Sequence, residues 1–335
     1  MGLEESPRGD NASIGGDQSR SDWKIPCLHD GKPLKIRIKS RSDKERDGQR
    51  RLLWGDYWVK HELSREFTQF GVSIVEKDED ALIHLFGSPA KNMSGNSYCA
   101  VWLYSHPDMV TSENLKQYDK IYCASSNFTK TLLEMGYANV ETMYASTSKR
   151  PSSVPIKYDI VFVGNARTRK PEGRSIIRDI GYTRHNLKVW GNLWEDILPD
   201  RYYGGRYWDY LELERLYASA LITLNDHHKD MSREGFVSNK IFDILASGGF
   251  AISKHNKGIK TIFGEAVPQY QAPEELVNLV DYYIENPEER ERLMLKGRRI
   301  ALQHTYKDRA WRFLKGIIPD LPELLEIDDY PDLIK

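Results

Sequence analysis

Apolar positions recur along the chain as short alternating or continuous runs separated by stretches of helical spacing. The run 34–39 (LKIRIK) alternates apolar and basic residues and predicts a first strand, with short apolar strands at 72–75, 81–86, 99–104, 121–124 and 140–144. Val59, Leu63, Phe67 and Phe70 make one stripe of a helix that Gly71 stops, and 126–135 is a second helix stopped by Gly136. After a Ser/Pro/Lys stretch (STSKRPSSVP) the rhythm restarts, with strands at 158–163, 187–190, 220–225, 250–253 and 267–270. Helices fit around 211–217, 238–247 and through 273–314. Two such blocks predict an α/β chain of two Rossmann-like, doubly wound domains facing across a cleft. The expected boundaries are 31–150 and 151–315, between a disordered leader over 1–30 and a tail over 316–335.

Chemistry concentrates in 216–250, LYASALITLNDHHKDMSREGFVSNKIFDILASGGF, read as a buried strand, a charged loop and a helix. Asn225 and Asp226 fall at the carboxyl end of the strand, where open α/β sheets bind ligands. In the helix, Ile241, Ile244 and Leu245 form an apolar stripe, which leaves Asn239, Lys240, Asp243 and Ser247 on the other side. Ser238 fits an N-cap, and the amides behind it suit an anion. Lys240 in the first turn opposes the helix dipole, a placement that makes sense if an anion shares the site. A second cationic loop, Gly164-Asn165-Ala166-Arg167-Thr168-Arg169-Lys170, follows the strand 158–163, and Trp190-Gly191 closes 187–190. In the first half, Asp56 sits in the turn before the first helix and His106 lies just past the strand 99–104, fixed by Pro107.

Composition narrows the classes. Lys and Arg number 48 against 49 Asp and Glu, a net charge of −1, so a nucleic-acid binder held by bulk electrostatics is excluded. Three cysteines without ligand-like spacing read as reduced thiols, and no apolar run approaches a membrane span, so a cytoplasmic protein is expected, with peripheral membrane contact left open.

The segments YDIVFVGNARTRK, LKVWGNLW, ELERLYASALITLNDHHKDMSREGFVSNKIFDILASGGFAIS and RRIALQHTYKDRAWRFL together resemble the C-terminal domain of GT-B glycosyltransferases. The resemblance covers about residues 157–315 and is to the spore-maturation-protein-like group related to retaining family 4. WGDYWVKHELSREFTQFG and YSHPD extend it more weakly into the first half. It implies transfer of a sugar from a nucleotide-diphosphate donor, held mainly by the second domain, to a hydroxyl of an acceptor held mainly by the first. It implies a retaining outcome, and no resident cofactor. No Asp-x-Asp metal motif stands out, so a metal-independent reaction is expected. The family carries two acids separated by seven residues; here Asp243 matches the second, as a ribose partner, whereas Gly235 stands at the first and Glu234 is one residue off. Asn165 replaces a family Arg, Lys170 matches a diphosphate Lys, and Arg167 and Lys240 are the substitutes for the missing charge. His106 matches a histidine near the donor sugar. His106, Asp56 and Glu234 are the catalytic candidates, and Gly164, Asn165, Arg167, Lys170, Trp190, Gly191, Asn225, Asp226, Ser238, Asn239, Lys240 and Asp243 the donor-binding ones. A sugar-nucleotide epimerase, or a non-catalytic sugar-nucleotide-binding protein of surface assembly, fits the same residues.

Overall fold

The computed structural model describes residues 32–45, 48, 52, 54–89, 97–167 and 174–322. The leader, Cys27, Lys170 and most of the tail lie outside the described residues.

The first sheet contains β1 (Lys35–Lys39), β2 (Ser73–Ile74), β3 (Ala81–Phe86), β4 (Tyr98–Leu103), β5 (Lys120–Cys123) and β6 (Val140–Thr142), with α1 (Gly55–Gln69), α2 (Ser112–Leu115) and α3 (Ser126–Glu134) between them. Its strands run parallel in the order β2-β1-β3-β4-β5-β6. The second sheet contains β7 (Tyr158–Val163), β8 (Leu187–Trp190), β9 (Tyr203–Gly205), β10 (Ala220–Asn225), β11 (Ala251–Lys254) and β12 (Gln269–Tyr270). Its helices are α4 (Ser175–Ile180), α5 (Leu213–Ala218), α6 (Lys229–Glu234), α7 (Asn239–Ala246), α8 (Lys257–Phe263), α9 (Pro273–Glu285) and α10 (Pro287–Leu302), and α11 (Tyr306–Ile317) follows. The order β12-β11-β10-β7-β8-β9, again all parallel, reverses direction between β7 and β10. A crevice opens outside the strand ends at such a reversal.

Both faces of each sheet are covered, which is why the strands read as near-continuous apolar runs. In β3 every residue is buried: Ile83 and Leu85 face one cluster with Leu63, Phe67 and Trp102, and Leu82 and Phe86 face the other with Val101 and Ile121. Each such side chain contributes roughly 1.5–3 kcal/mol. Cys99 and Cys123 are free and buried, and burial pushes both thiols up to about 12, so they pack as small apolar groups.

The end of the chain departs from expectation. Residues 306–315, read as part of the second domain, form α11 and pack on the first: Tyr306, Ala310, Phe313 and Leu314 join Leu63, Phe67 and Trp102 in one core. Tyr122 donates its hydroxyl to the Arg312 carbonyl at 2.9 Å, and Arg312 pairs with Glu141. An apolar stripe on a helix shows that it is covered but not by which domain. The chain therefore passes between domains twice, at 144–150 and near 305, and the passes meet at a Thr147–Thr305 bridge. The first pass is not a loose linker: Ser146, Thr147 and Lys149 are buried, and Lys149 pairs with Glu214 at 3.0 Å. Among the described residues no helix is long and apolar enough to cross a membrane.

Candidate active site

The neighbouring ends of β7 and β10 carry a cluster of cations. Gly164 follows β7, and a Cβ there would lie 3.1 Å from Lys240 Nζ and 3.2 Å from Arg174 Nη2. Its missing side chain lets both cations reach this point. Lys240 donates to the Val163 carbonyl at 2.6 Å and lies 5.0 Å from the Phe162 ring centroid. Arg174, immediately before α4, donates through Nε to the Asn165 carbonyl at 2.8 Å and through Nη1 to Asp226 Oδ1. Arg167 Nη2 lies 3.8 Å from the same oxygen. Three cations surround one carboxylate.

The titration shifts follow from that imbalance. Burial, then Arg174, pulls Lys240 down to about 7, and burial and Arg174 hold Arg167 at about 10. Burial raises the Asp226 carboxyl, yet Arg174, Arg167 and Lys240 outweigh it and the net shift is downward. A site that pushes protons off its own lysine is short of negative charge, and an anion would relieve it. Asp226 Oδ2 and Ser238 Oγ are buried without a hydrogen-bond partner, so polar groups beside the cluster await a ligand or water.

Several expected contacts are occupied by the protein itself. Asn225 is fully buried and donates to Ser253 Oγ at 3.1 Å, tying β10 to β11, while its Oδ1 has no hydrogen-bond partner. Ser238 precedes α7 without capping it through its hydroxyl, and its amide donates to His227 Nε2 at 3.1 Å. Burial lowers the His227 pKa to about 3, and its neutral ring accepts from that amide through Nε2. Asn165 accepts through Oδ1 from the Asn192 amide at 2.9 Å. Trp190 is buried between Tyr158 and Trp208, and Gly191 backs onto the Gly164 carbonyl, where a Cβ would come within 2.3 Å. Asn239 starts α7 beside Lys240, half-buried.

Asp243 lies under the interdomain pass: it is 3% exposed and accepts from Thr147 Oγ1 at 2.6 Å. Its carboxylate is brought to the hinge and not to the cation cluster. Glu234 bonds Arg233 at 2.7 Å. Gly235 is glycine because the chain turns there with φ 77° at the end of α6, against the Gly258 amide, where a Cβ would sit 3.2 Å away. The spacing of acids is broken by a backbone requirement.

From the first domain, Asp56 is buried and accepts from the Ser42 amide at 2.7 Å, a loop tie that leaves little of it for a substrate. His106 begins a short turn with φ 54°, and its ring meets His228 of the second domain edge to face, with centroids 5.0 Å apart. Burial lowers the His106 pKa, Arg41 and Arg167 lower it further, and Asp230 opposes them. Arg174, His228 and Asp230 are the members that sequence reasoning left out. Arg174 stands eleven residues beyond β7 with no local mark except that an apolar run follows it.

Residues 167–315 match a family model described as glycosyl transferase-like. No curated protein sequence matches the chain at a significant level. Among solved structures it is similar to T4 phage β-glucosyltransferase in complex with UDP and Mn²⁺, at 13% identity and a TM-score of 0.60, over 86% of this chain and 100% of that one. It is similar to Anabaena HepE in complex with UDP and glucose, at 11% identity and 0.61, over 86% and 100%. A glycosyltransferase from Rickettsia africae gives 11% and 0.55, over 86% and 99%. The fold is GT-B. The match takes in β8 to β12 of the second sheet and includes Arg167, Arg174, Asp226 and Lys240. Residues 167–315 are thus glycosyl transferase-like, within a GT-B fold.

Proposed function

We propose that this glycosyltransferase moves a sugar from a nucleoside-diphosphate donor to an acceptor hydroxyl, and that it belongs with the spore-maturation-protein-like group related to retaining family 4. The observation that carries the reading is the set Arg167, Arg174 and Lys240 around one carboxylate at the reversal point of the second sheet. When the bond from the anomeric carbon to the diphosphate breaks, its electron pair leaves on the diphosphate, and fixed cations aimed there lower the barrier. These side chains supply that charge, which supports a metal-independent reaction. The acceptor enters from the first domain, where His106 is held in its neutral, proton-accepting form. The retaining outcome rests on the resemblance alone.

UDP and GDP are the first ligands to test, by thermal shift: at 100 times Kd a bound ligand adds about 2.7 kcal/mol of stability. No shift with any nucleoside diphosphate would overturn the reading. Turnover of a sugar nucleotide with no acceptor, giving a new sugar nucleotide, would establish an epimerase instead. Activity that survives EDTA is expected; its loss and recovery with Mn²⁺ would overturn metal independence. A Cβ at Gly164, where φ is 157°, would meet Lys240 Nζ at 3.1 Å, Arg174 Nη2 at 3.2 Å and the buried Phe162 ring at 3.3 Å. Gly164→Ala is therefore expected to lower stability through backbone strain and to weaken diphosphate affinity about tenfold, or 1.4 kcal/mol, measured by calorimetry.

A further inference from the structure

The segment joining β10 to α7 carries polar groups that donor binding leaves unused. His228 stands immediately before α6, and its ring plane meets that of His106 at 73°. The contact is held from both sides. Arg233 pairs with Asp108 across the domains, Ser125 Oγ donates to the Glu234 carbonyl, and Met231 and Phe236 are buried with Leu103, Leu115 and Cys123 of the first domain. Left-handed backbone at His106, with Pro107 after it, presents the imidazole in one direction from the end of β4. A non-glycine residue keeps that conformation only where its surroundings impose it.

We propose that His228 is a positioning residue for His106 in activating the acceptor hydroxyl: its edge-to-face contact sets the plane of the His106 ring. The inference rests on the transferase reading above. In the step, the acceptor O–H gives its proton to a ring nitrogen of His106 as its oxygen bonds to the anomeric carbon on the face that the diphosphate leaves, which keeps the configuration. The bond from that carbon to the diphosphate breaks, the electron pair leaves with the diphosphate, and His106 returns its proton to water. The charged groups facing His106 are Asp230, Arg41, Arg167 and Asp56; those facing His228 are Arg167, His106, Arg174 and Asp230.

The test uses the full chain and reads the ring proton resonances of His106 through a pH titration, together with donor affinity and kcat for nucleoside diphosphate release. His228→Ala is expected to shift the His106 resonances and lower kcat about tenfold without moving the donor KM, whereas His228→Phe, which keeps an edge-to-face ring, retains most activity. A His106 titration and kcat that match wild type in His228→Ala would overturn the proposal. A wild-type protein that binds no nucleoside diphosphate would sink the transferase reading instead, and the two failures are separately visible.

Discussion

Arg174→Ala is expected to give the largest combined loss of any single substitution in the cleft. Its guanidinium does three things at once: Nε holds the Asn165 carbonyl, Nη1 holds Asp226, and the plane lies 5.4 Å from the Phe162 ring centroid. Without it, Asp226 at 4% exposure keeps Arg167 at 3.8 Å as its one ion pair, with the charge of Lys240 farther off. Removing one partner of a buried pair costs about 3–5 kcal/mol, and the remaining cation puts this case at roughly the lower end. The diphosphate loses a fixed donor as well, so kcat should fall on the order of 10²–10³-fold. Arg174→Lys restores charge but not the fork, and should recover stability more than rate. Chemical denaturation and steady-state kinetics on both variants separate the effects. If Arg174→Ala lost stability while keeping UDP affinity and turnover, the residue would be a structural counterion for Asp226 and nothing more.

What the chain declared in advance follows physical lines. Strands buried on both faces are continuous apolar runs, so β3, β4, β7 and β10 and their alternation with helices were legible, and with them the GT-B architecture. α6 was not: KDMSRE has one apolar residue, Met231, and that residue is buried in the other domain's core, a contact without local period. α11 was legible as a helix and misassigned in space for the same reason. At the site, Lys240 stood out because a cation in the first turn of a helix contradicts the dipole, and the structure brings its ammonium beside Gly164. Asn225, Ser238 and Trp190 also have partners within the fold that position at a strand end does not reveal: Asn225 donates to Ser253, the Ser238 amide to His227, and Trp190 packs between Tyr158 and Trp208. Asp243 lies on the polar side of α7, a side wide enough to meet the cleft at Lys240 and the interdomain pass three residues later.

Those two residues make a prediction about pH. Lys240→Met is expected to lower diphosphate affinity by roughly 100-fold, the loss of a charge-assisted contact of about 1.5–3 kcal/mol, while stabilising the folded protein. Lys240 titrates at about 7 in the fold against the ordinary 10.5, so below pH 7 both states carry its proton and the burial cost is fully present. Between pH 7 and 10.5 the unfolded chain binds one proton more than the folded one, and stability rises by about 1.4 kcal/mol per unit. Asp243, raised by burial to about 7 from 3.8, acts in the opposite sense: between pH 3.8 and 7 the folded state holds the extra proton, and stability falls as pH rises. One helix thus contributes a minimum near neutrality. Lys240→Met should flatten the alkaline limb and Asp243→Asn the acid limb, each read from denaturation midpoints across pH. A bound diphosphate raises the Lys240 pKa, so UDP binding at pH 8 should take up close to one proton in the wild type and none in Lys240→Met. Calorimetry in buffers of different ionisation enthalpy measures that uptake. Equal uptake in the two proteins would remove Lys240 from the diphosphate site.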